Sequence, residues 1–363
     1  MMKNTILITG ATGYLGSALC VDLCCDHNII GLSLRTPSKR LVAAAPSVQW
    51  EKGDVVEPGC LSCIFKASAS QGKPIDYVIH FAAYTDYGEK WHDEYSNTNV
   101  LGTRNIIDIA CEAGVKRLLF AGSIAALQPL HPGEALTEKS SVYGDIAYSR
   151  SKAMGEQLLF NNSDRMRIVI LRLGGVFTDW CELPPLFSVM NLWSKPVVGR
   201  MLPGQGNSGF PYIHRKDVVK IVRRIIDLDD RLERFEILFA SQSGCTLHKD
   251  LFPAIRRECG PGFSTTPVNI PPFFAKIILH AKYIINTLLK KRTYERAWMI
   301  KYIDHPLRVD TTYSRNKLML SPRKDIDILT YLPILMRNFR HHHQTWLRRN
   351  INRNDQKYDY YPD

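Results

Sequence analysis

Thr5-Ile6-Leu7-Ile8-Thr9-Gly10-Ala11-Thr12-Gly13-Tyr14-Leu15-Gly16 stands almost at the start of the chain and decides how the rest is read. Thr5 to Thr9 is a short apolar run of the kind that forms a buried strand, and an apolar-periodic helical stretch, Tyr14 to Cys25, follows the glycines. A tight strand-to-helix turn needs glycine so that backbone amides can approach a pyrophosphate at the helix N-terminus. With strand before and helix after, the pattern reads as a dinucleotide-binding turn, in which Gly10, Thr12, Gly13, Tyr14, Leu15 and Gly16 hold the cofactor.

The same alternation continues downstream. Apolar runs at Ile29 to Leu34, Val48 to Lys52, Tyr77 to Ala82, Arg117 to Ala121 and Ile168 to Leu173 are separated by helical stretches such as Thr98 to Ala113. Six strands in this rhythm predict an α/β fold, a Rossmann-type doubly wound parallel sheet. After about Gly174 the rhythm breaks into loops such as Leu183-Pro184-Pro185 and Pro203-Gly204-Gln205-Gly206. We therefore expect a nucleotide-binding domain over 1–180, a smaller, mostly helical C-terminal substrate lobe over 181–350 and a flexible tail over 351–363. Strand segments near 210–240 are left free to rejoin the sheet.

The end of the second strand selects the dinucleotide. Gly31-Leu32-Ser33-Leu34-Arg35-Thr36-Pro37-Ser38-Lys39-Arg40 has no carboxylate for ribose hydroxyls and three cations suited to a 2′-phosphate, Arg35 first among them. NADP(H) is thus expected over NAD(H). Asp54 and Val55 follow the third strand, where Asp54 could accept from an adenine amino group or cap the next helix. Ala82 and Ala83, after the fourth, are small enough for the middle of a cofactor to lie against the backbone.

Tyr148-Ser149-Arg150-Ser151-Lys152 sets a phenol and an ammonium at i and i+4 on one helical face. A nearby cation favours the phenolate and brings a tyrosine toward acid-base work at neutral pH. Phe120-Ala121-Gly122-Ser123 brings Ser123 just past the fifth strand run to the carboxyl edge where ligands of open α/β sheets collect, so its hydroxyl is a candidate partner for a substrate oxygen. Asn99 either orders a relay water or ties its helix to a neighbouring strand.

Taken in order, Thr9-Gly10-x2-Gly13-x2-Gly16, Gly53-Asp54, His80-x-Ala82-Ala83, Asn99-Val100-x-Gly102-Thr103, Ser123 and Tyr148-x3-Lys152 resemble the extended short-chain dehydrogenase/reductases. Tyr212-Ile213-His214-x2-Asp217-Val218-Val219 is similar to a strand-to-helix segment of that family, and Val309-Asp310-Thr311-Thr312 to one near its C-terminal end. The resemblance implies that Tyr148 is the general acid/base, that Lys152 lowers its pKa and holds the nicotinamide ribose, and that Ser123 polarises a carbonyl. Hydride would pass between the nicotinamide and a secondary alcohol or ketone. Sugar-nucleotide dehydratases of the family carry an Asp-Glu pair after the catalytic Ser/Thr; Ile124-Ala125-Ala126 stands there instead, which argues against dehydration and resembles the 3β-hydroxysteroid dehydrogenase branch. An apolar or lipid-like substrate is the resulting expectation. Its rivals are a nucleotide-sugar epimerase or reductase using Arg172, Arg200 or Arg215 on a diphosphate, and a non-catalytic NADPH-sensing regulator.

Composition narrows the partners. The formal charge is +12, and residues 251–363 hold 20 Lys and Arg against 9 Asp and Glu, so the basicity is C-terminal. No nucleic-acid-binding pattern accompanies it. Nine scattered cysteines give no disulfide framework or metal set, and His341-His342-His343 are adjacent residues that point apart on a helix, so no metal is expected. No secretion signal or membrane-spanning run is read, which suits a cytoplasmic protein. Between Phe273 and Leu289 apolar residues recur at 273, 274, 277, 278, 281, 284, 285, 288 and 289. We read this stripe as core over the substrate cleft, since most amphipathic helices face a core; peripheral membrane contact through 273–292 is the alternative. A homodimer is left open.

Overall fold

The computed structural model describes residues 3–86, 90–128, 131, 133–288, 297–320 and 327–351. Its centre is a seven-stranded parallel sheet made of β1 (Thr5–Thr9), β2 (Asn28–Ser33), β3 (Gln49–Lys52), β4 (Tyr77–His80), β5 (Arg117–Ser123), β6 (Arg167–Leu173) and β11 (Phe235–Ala240), in the order β11-β6-β5-β4-β1-β2-β3. All six expected strands are present, with ends shifted by at most two residues. One shift matters: β5 runs on through Gly122 to Ser123, so Ser123 is its last residue.

The central strands are apolar because helices cover both faces of the sheet. On one side Leu19 and Leu23 of α1 (Gly16–Leu23) and Val218, Val222 and Ile225 of α7 (Arg215–Asp227) pack on Ile6, Ile8 and Val169. On the other, Leu61, Ile64 and Phe65 of α3 (Pro58–Ser70), Ile106 and Ile107 of α4 (Gly102–Glu112) and Leu159 of α5 (Ala147–Phe160) pack on Leu7, Val78 and Ile168. The short α2 (Lys39–Ala44) leads to β3, whose Gln-Trp-Glu-Lys sequence suits an edge. From β1 the chain builds outward to β2 and β3, then crosses back to β4 and builds the other way. The reversal leaves a crevice at the carboxyl ends of β1 and β4.

The later chain adds α6 (Pro184–Trp193), α8 (His248–Cys259), α9 (Pro272–Leu288), α10 (Thr312–Lys317), α11 (Ile328–His341) and α12 (His343–Ile351). Three short strand pairs connect them: β7 (Gly175–Phe177) with β10 (Tyr212–His214), β8 (Met201–Pro203) with β13 (Val268–Ile270), and β9 (Gly209–Phe210) with β12 (Thr246–Leu247). Trp193, Phe252, Leu335 and Trp346 centre a separate core.

Two sequence readings change. The stripe on α9 is not core: Phe273, Phe274, Ile277, Ile278, Ile284, Ile285 and Leu288 are between 43% and 77% exposed, and Ala275 alone among the described residues of that helix is buried. Periodicity marks an apolar face, but what covers it depends on the neighbours. Asn350, the last residue of the expected C-terminal lobe, is buried, donates to the Trp180 and Trp346 carbonyls and accepts from the Glu182 amide at 2.8 Å. Ile351 closes α12, and the rest of the expected tail lies outside the described residues. The second change is that the helix expected from Thr98 begins as a π-helical turn, Tyr95–Leu101, leading into α4. No helix among the described residues is long and apolar enough to cross a membrane.

Candidate active site

The glycine loop closes on itself through the Gly13 amide, which donates to the Gly10 carbonyl at 2.8 Å. Gly10 has φ +70°, and a Cβ there would sit 2.9 Å from the Ala82 nitrogen; at Gly16 it would sit 2.2 Å from the Gly10 oxygen. Only bare backbone fits, which leaves the cradle a pyrophosphate requires. Tyr14 anchors the loop from outside: its hydroxyl donates to the Val176 carbonyl at 3.1 Å, and Arg215 donates to its carbonyl at 2.8 Å while stacking over its ring. Thr12 and Leu15 lie half-buried between them. Gly16→Ala should therefore cost about 1–3 kcal/mol of stability and abolish dinucleotide affinity, as read by urea titration and by NADPH fluorescence.

A directed chain of hydrogen bonds spans the crevice. The Ala82 amide donates to Thr9 Oγ1 (3.1 Å), Thr9 Oγ1 lies 2.8 Å from His80 Nδ1, His80 Nε2 lies 3.1 Å from Thr103 Oγ1, and Thr103 donates to the Asn99 carbonyl (2.7 Å). Thr103 has spent its proton on Asn99, so it accepts from His80 Nε2–H, and His80 Nδ1 accepts from Thr9. His80 is held neutral, its pKa pushed down to about 3 by burial and then by the Lys152 charge. The chain holds the backbone at Ala82 and Ala83 in place. Asn99 extends this hold: its amide accepts from the Tyr84 nitrogen (2.7 Å) and donates to the Tyr84 carbonyl (3.0 Å) and to Ser151 Oγ (2.9 Å). Ser151 donates in turn to the Tyr148 carbonyl, tying this loop to α5.

On α5, Lys152 is buried and donates from Nζ to the Ala121 carbonyl of β5 at 2.9 Å, with the Phe120 ring 5.0 Å away. Desolvation pulls its pKa down to about 8, against the opposing pull of Glu156. Tyr148, one turn earlier, is buried among Tyr95, Ala147, Tyr84, Ala125 and Ile146. Ser123 Oγ accepts from the Ala125 amide at 3.2 Å, and Ala125 packs against the cluster of Tyr95, Ala147 and Tyr148. Gly122 and Gly155 let α5 lie close against β5, since a Cβ would meet Glu156 Oε1 at 2.9 Å or Phe120 Cζ at 2.8 Å.

Arg35, Asp54 and Val55, expected on the adenine side, follow the carboxyl ends of β2 and β3. Ser33 donates to the Arg35 carbonyl at 2.7 Å, and Arg35 is half-exposed beyond the strand. Asp54 accepts from the Val56 amide at 3.0 Å, closing the turn before α3 rather than capping that helix, whose N-cap is Glu57. Val55 is buried against Gly102.

Glu156 and Arg172 were not singled out together by sequence reasoning. They form a buried bidentate pair, Arg172 Nη2 to Glu156 Oε2 at 2.9 Å and Nε to Oε2 at 3.2 Å, and Arg172 also donates to the Glu138 and Ser140 carbonyls. Tyr148, Lys152 and Glu156 at i, i+4 and i+8 were the available signal. Arg172 is thus committed to structure and is removed from the diphosphate-binding candidates. Arg215 is engaged with Tyr14, and Arg200 donates to the Thr266 carbonyl at 3.4 Å.

Known proteins resemble this chain in sequence and in fold. Residues 6–238, well over half of the chain, match the NAD dependent epimerase/dehydratase family. The chain belongs to that family. A UDP-glucose 4-epimerase of Yersinia enterocolitica is 34% identical over 165 residues, 43% of this chain and 47% of that protein, so the match spans about half of the relative's length. A 3 beta-hydroxysteroid dehydrogenase/Delta 5-->4-isomerase of Mycobacterium tuberculosis (strain CDC 1551 / Oshkosh) is 27% identical over 223 residues, 58% of this chain and 57% of that protein. The structure of a dTDP-glucose 4,6-dehydratase from Streptomyces venezuelae, with NAD and TYD bound, superposes with a TM-score of 0.67 at 18% identity, covering 94% of this chain and 98% of that one. The seven-stranded parallel sheet of this chain is accordingly a Rossmann-type sheet, the fold of these family members.

Proposed function

We propose that the protein is an NADP(H)-dependent oxidoreductase acting on a secondary alcohol or ketone of apolar, lipid-like character. The observation that carries this reading is the setting of Tyr148: an apolar and aromatic wall of Tyr84, Tyr95, Ala125, Ala147 and Ile146, with the Lys152 ammonium one turn away on the same helix. The glycine cradle fits a dinucleotide, with Gly10, Thr12, Gly13, Tyr14, Leu15 and Gly16 at its pyrophosphate, Arg35 at a 2′-phosphate, Asp54 and Val55 at the adenine, and Ala82, Ala83, Tyr148 and Lys152 towards the nicotinamide half. When bound, the cofactor supplies or accepts the hydride.

Ser123 donates a hydrogen bond to the substrate oxygen and orients the carbonyl. In the reductive direction Tyr148 gives its phenolic proton to that oxygen as negative charge develops, and in the oxidative direction it removes the proton. Lys152 stabilises the phenolate left behind. Asn99 positions these groups by joining the Tyr84 segment to Ser151. At the place of the dehydratase acids, Ile124 and Ala126 are buried and apolar, so the site lacks a second acid-base pair for elimination.

The direct test is NADPH and NADH oxidation with fractionated lipid and polar metabolite extracts, with Tyr148→Phe as control. Turnover supported by a lipid fraction and absent in the variant is expected; cofactor binding with no turnover on any fraction overturns the dehydrogenase reading. The similarity to UDP-glucose 4-epimerases favours a second reading, a nucleotide-sugar epimerase. An epimerase regenerates its cofactor in each cycle, so dinucleotide retained through purification would favour it, and free exchange favours the dehydrogenase.

Cofactor choice has its own test. Arg35→Asp should lower the NADPH:NADH ratio of kcat/KM by roughly 10- to 100-fold, the worth of a hydrogen bond between charged partners, about 1.5–3 kcal/mol. An unchanged ratio would leave NAD(H) as the better assignment.

A further inference from the structure

The exposed stripe on α9 is a continuous face. At about 100° per residue its apolar positions 273, 274, 277, 278, 281, 284, 285 and 288 fill an arc of about 140°. Ala275 and the half-buried Leu279 lie on the opposite side, turned towards the protein. Lys282 borders one edge of the apolar arc, and Lys276 and His280 border the other. Charge here has one sign: from Cys259 to Tyr294 the sequence contains no Asp or Glu, but it contains Lys276, Lys282, Lys290, Lys291 and Arg292. An apolar face edged by lysines fits a helix lying in a bilayer interface, its apolar side chains among acyl chains and its ammonium groups at anionic headgroups.

We propose that α9 docks the enzyme on an anionic phospholipid surface. The helix is tied to the rest of the fold in two places. At its start β13 pairs with β8, and the Gly204 amide donates to the Ile270 carbonyl at 2.8 Å. It also lies against the turn Ala297–Tyr302, where Lys301 and Tyr302 hold the Asp145 carboxylate. Asp145 directly precedes Ile146, the N-cap of the helix that carries Tyr148. Docking through α9 therefore brings the bilayer to the neighbourhood of the Tyr148 helix, an arrangement suited to a substrate drawn from lipid, although the docking itself does not depend on that substrate.

Co-sedimentation of the full chain with phosphatidylcholine vesicles, with and without phosphatidylglycerol, tests this without any need for turnover. Binding is expected only where phosphatidylglycerol is present, and it should weaken as salt rises. Ile277→Ser/Ile284→Ser/Leu288→Ser should abolish it, and Lys276→Glu/Lys282→Glu should reduce it by on the order of tenfold or more. These side chains are exposed, so unchanged thermal unfolding would show that both variants fold. Failure to bind either vesicle overturns the proposal, as does binding that ignores the lysines. A dimer in sedimentation velocity that the serine variant dissociates, with no vesicle binding, would instead assign the stripe to a second copy of the chain.

Discussion

Tyr148→Phe should lower kcat by about 10²- to 10⁴-fold, the usual contribution of a positioned general acid-base, while leaving dinucleotide affinity and thermal unfolding close to the parent. Phenylalanine keeps the ring contacts with Tyr95, Ala147 and Ala125, so only the proton donor is lost. Steady-state turnover alongside NADPH titration separates the two effects, and a variant that turns over normally would remove Tyr148 from the mechanism. The pH profile adds a second reading of the same site. Lys152 titrates at about 8, so its charge is present below that pH and lost above it. Support for the phenolate should fade as pH rises through about 8, giving kcat/KM an alkaline limb there. The stability effect has the opposite sign. Because the folded pKa lies below the ordinary 10.5, the unfolded chain binds the proton more tightly between about 8 and 10.5, and the Lys152 contribution to stability improves as pH rises through that window.

Arg172→Met should be the most destabilising single change considered, costing about 3–5 kcal/mol in urea unfolding. It leaves the Glu156 carboxylate buried, without its bidentate partner, and frees the Glu138 and Ser140 carbonyls of the loop before α5. Burial already pushes the Glu156 pKa up, and the Arg172 guanidinium is the chief opposing influence. Adding Glu156→Leu to Arg172→Met should recover much of the loss, since a charge no longer has to be buried alone. A loss below about 1 kcal/mol in the single variant would contradict a buried pair. Glu156→Gln has a separate signature: it removes the group that raises the Lys152 pKa, so the alkaline limb should move to lower pH. A purely structural role for Glu156 would not shift that limb.

Much of the framework was legible because it is local. The Gly10-x2-Gly13-x2-Gly16 turn is required by sterics within a few residues, and the strands announce themselves because a parallel sheet covered on both faces needs unbroken apolar runs. Tyr148 and Lys152 could be paired from spacing alone, since i and i+4 share a helical face. The sequence also placed Ser123 at a strand end, although not that β5 runs on through Gly122 to reach it.

Other features depend on residues far apart in the chain. Nothing in the neighbourhood of Arg172 says that Glu156 lies under it, or that Thr9, His80 and Thr103 form one chain beneath Ala82; those contacts exist only once three elements have packed. The helix 272–288 makes the same point in reverse. Its sequence by itself determined that one face is apolar and that its charges are basic. Only the tertiary structure decided that this face looks outward, because amphipathicity is a property of a single helix, whereas burial depends on which other elements come to cover it.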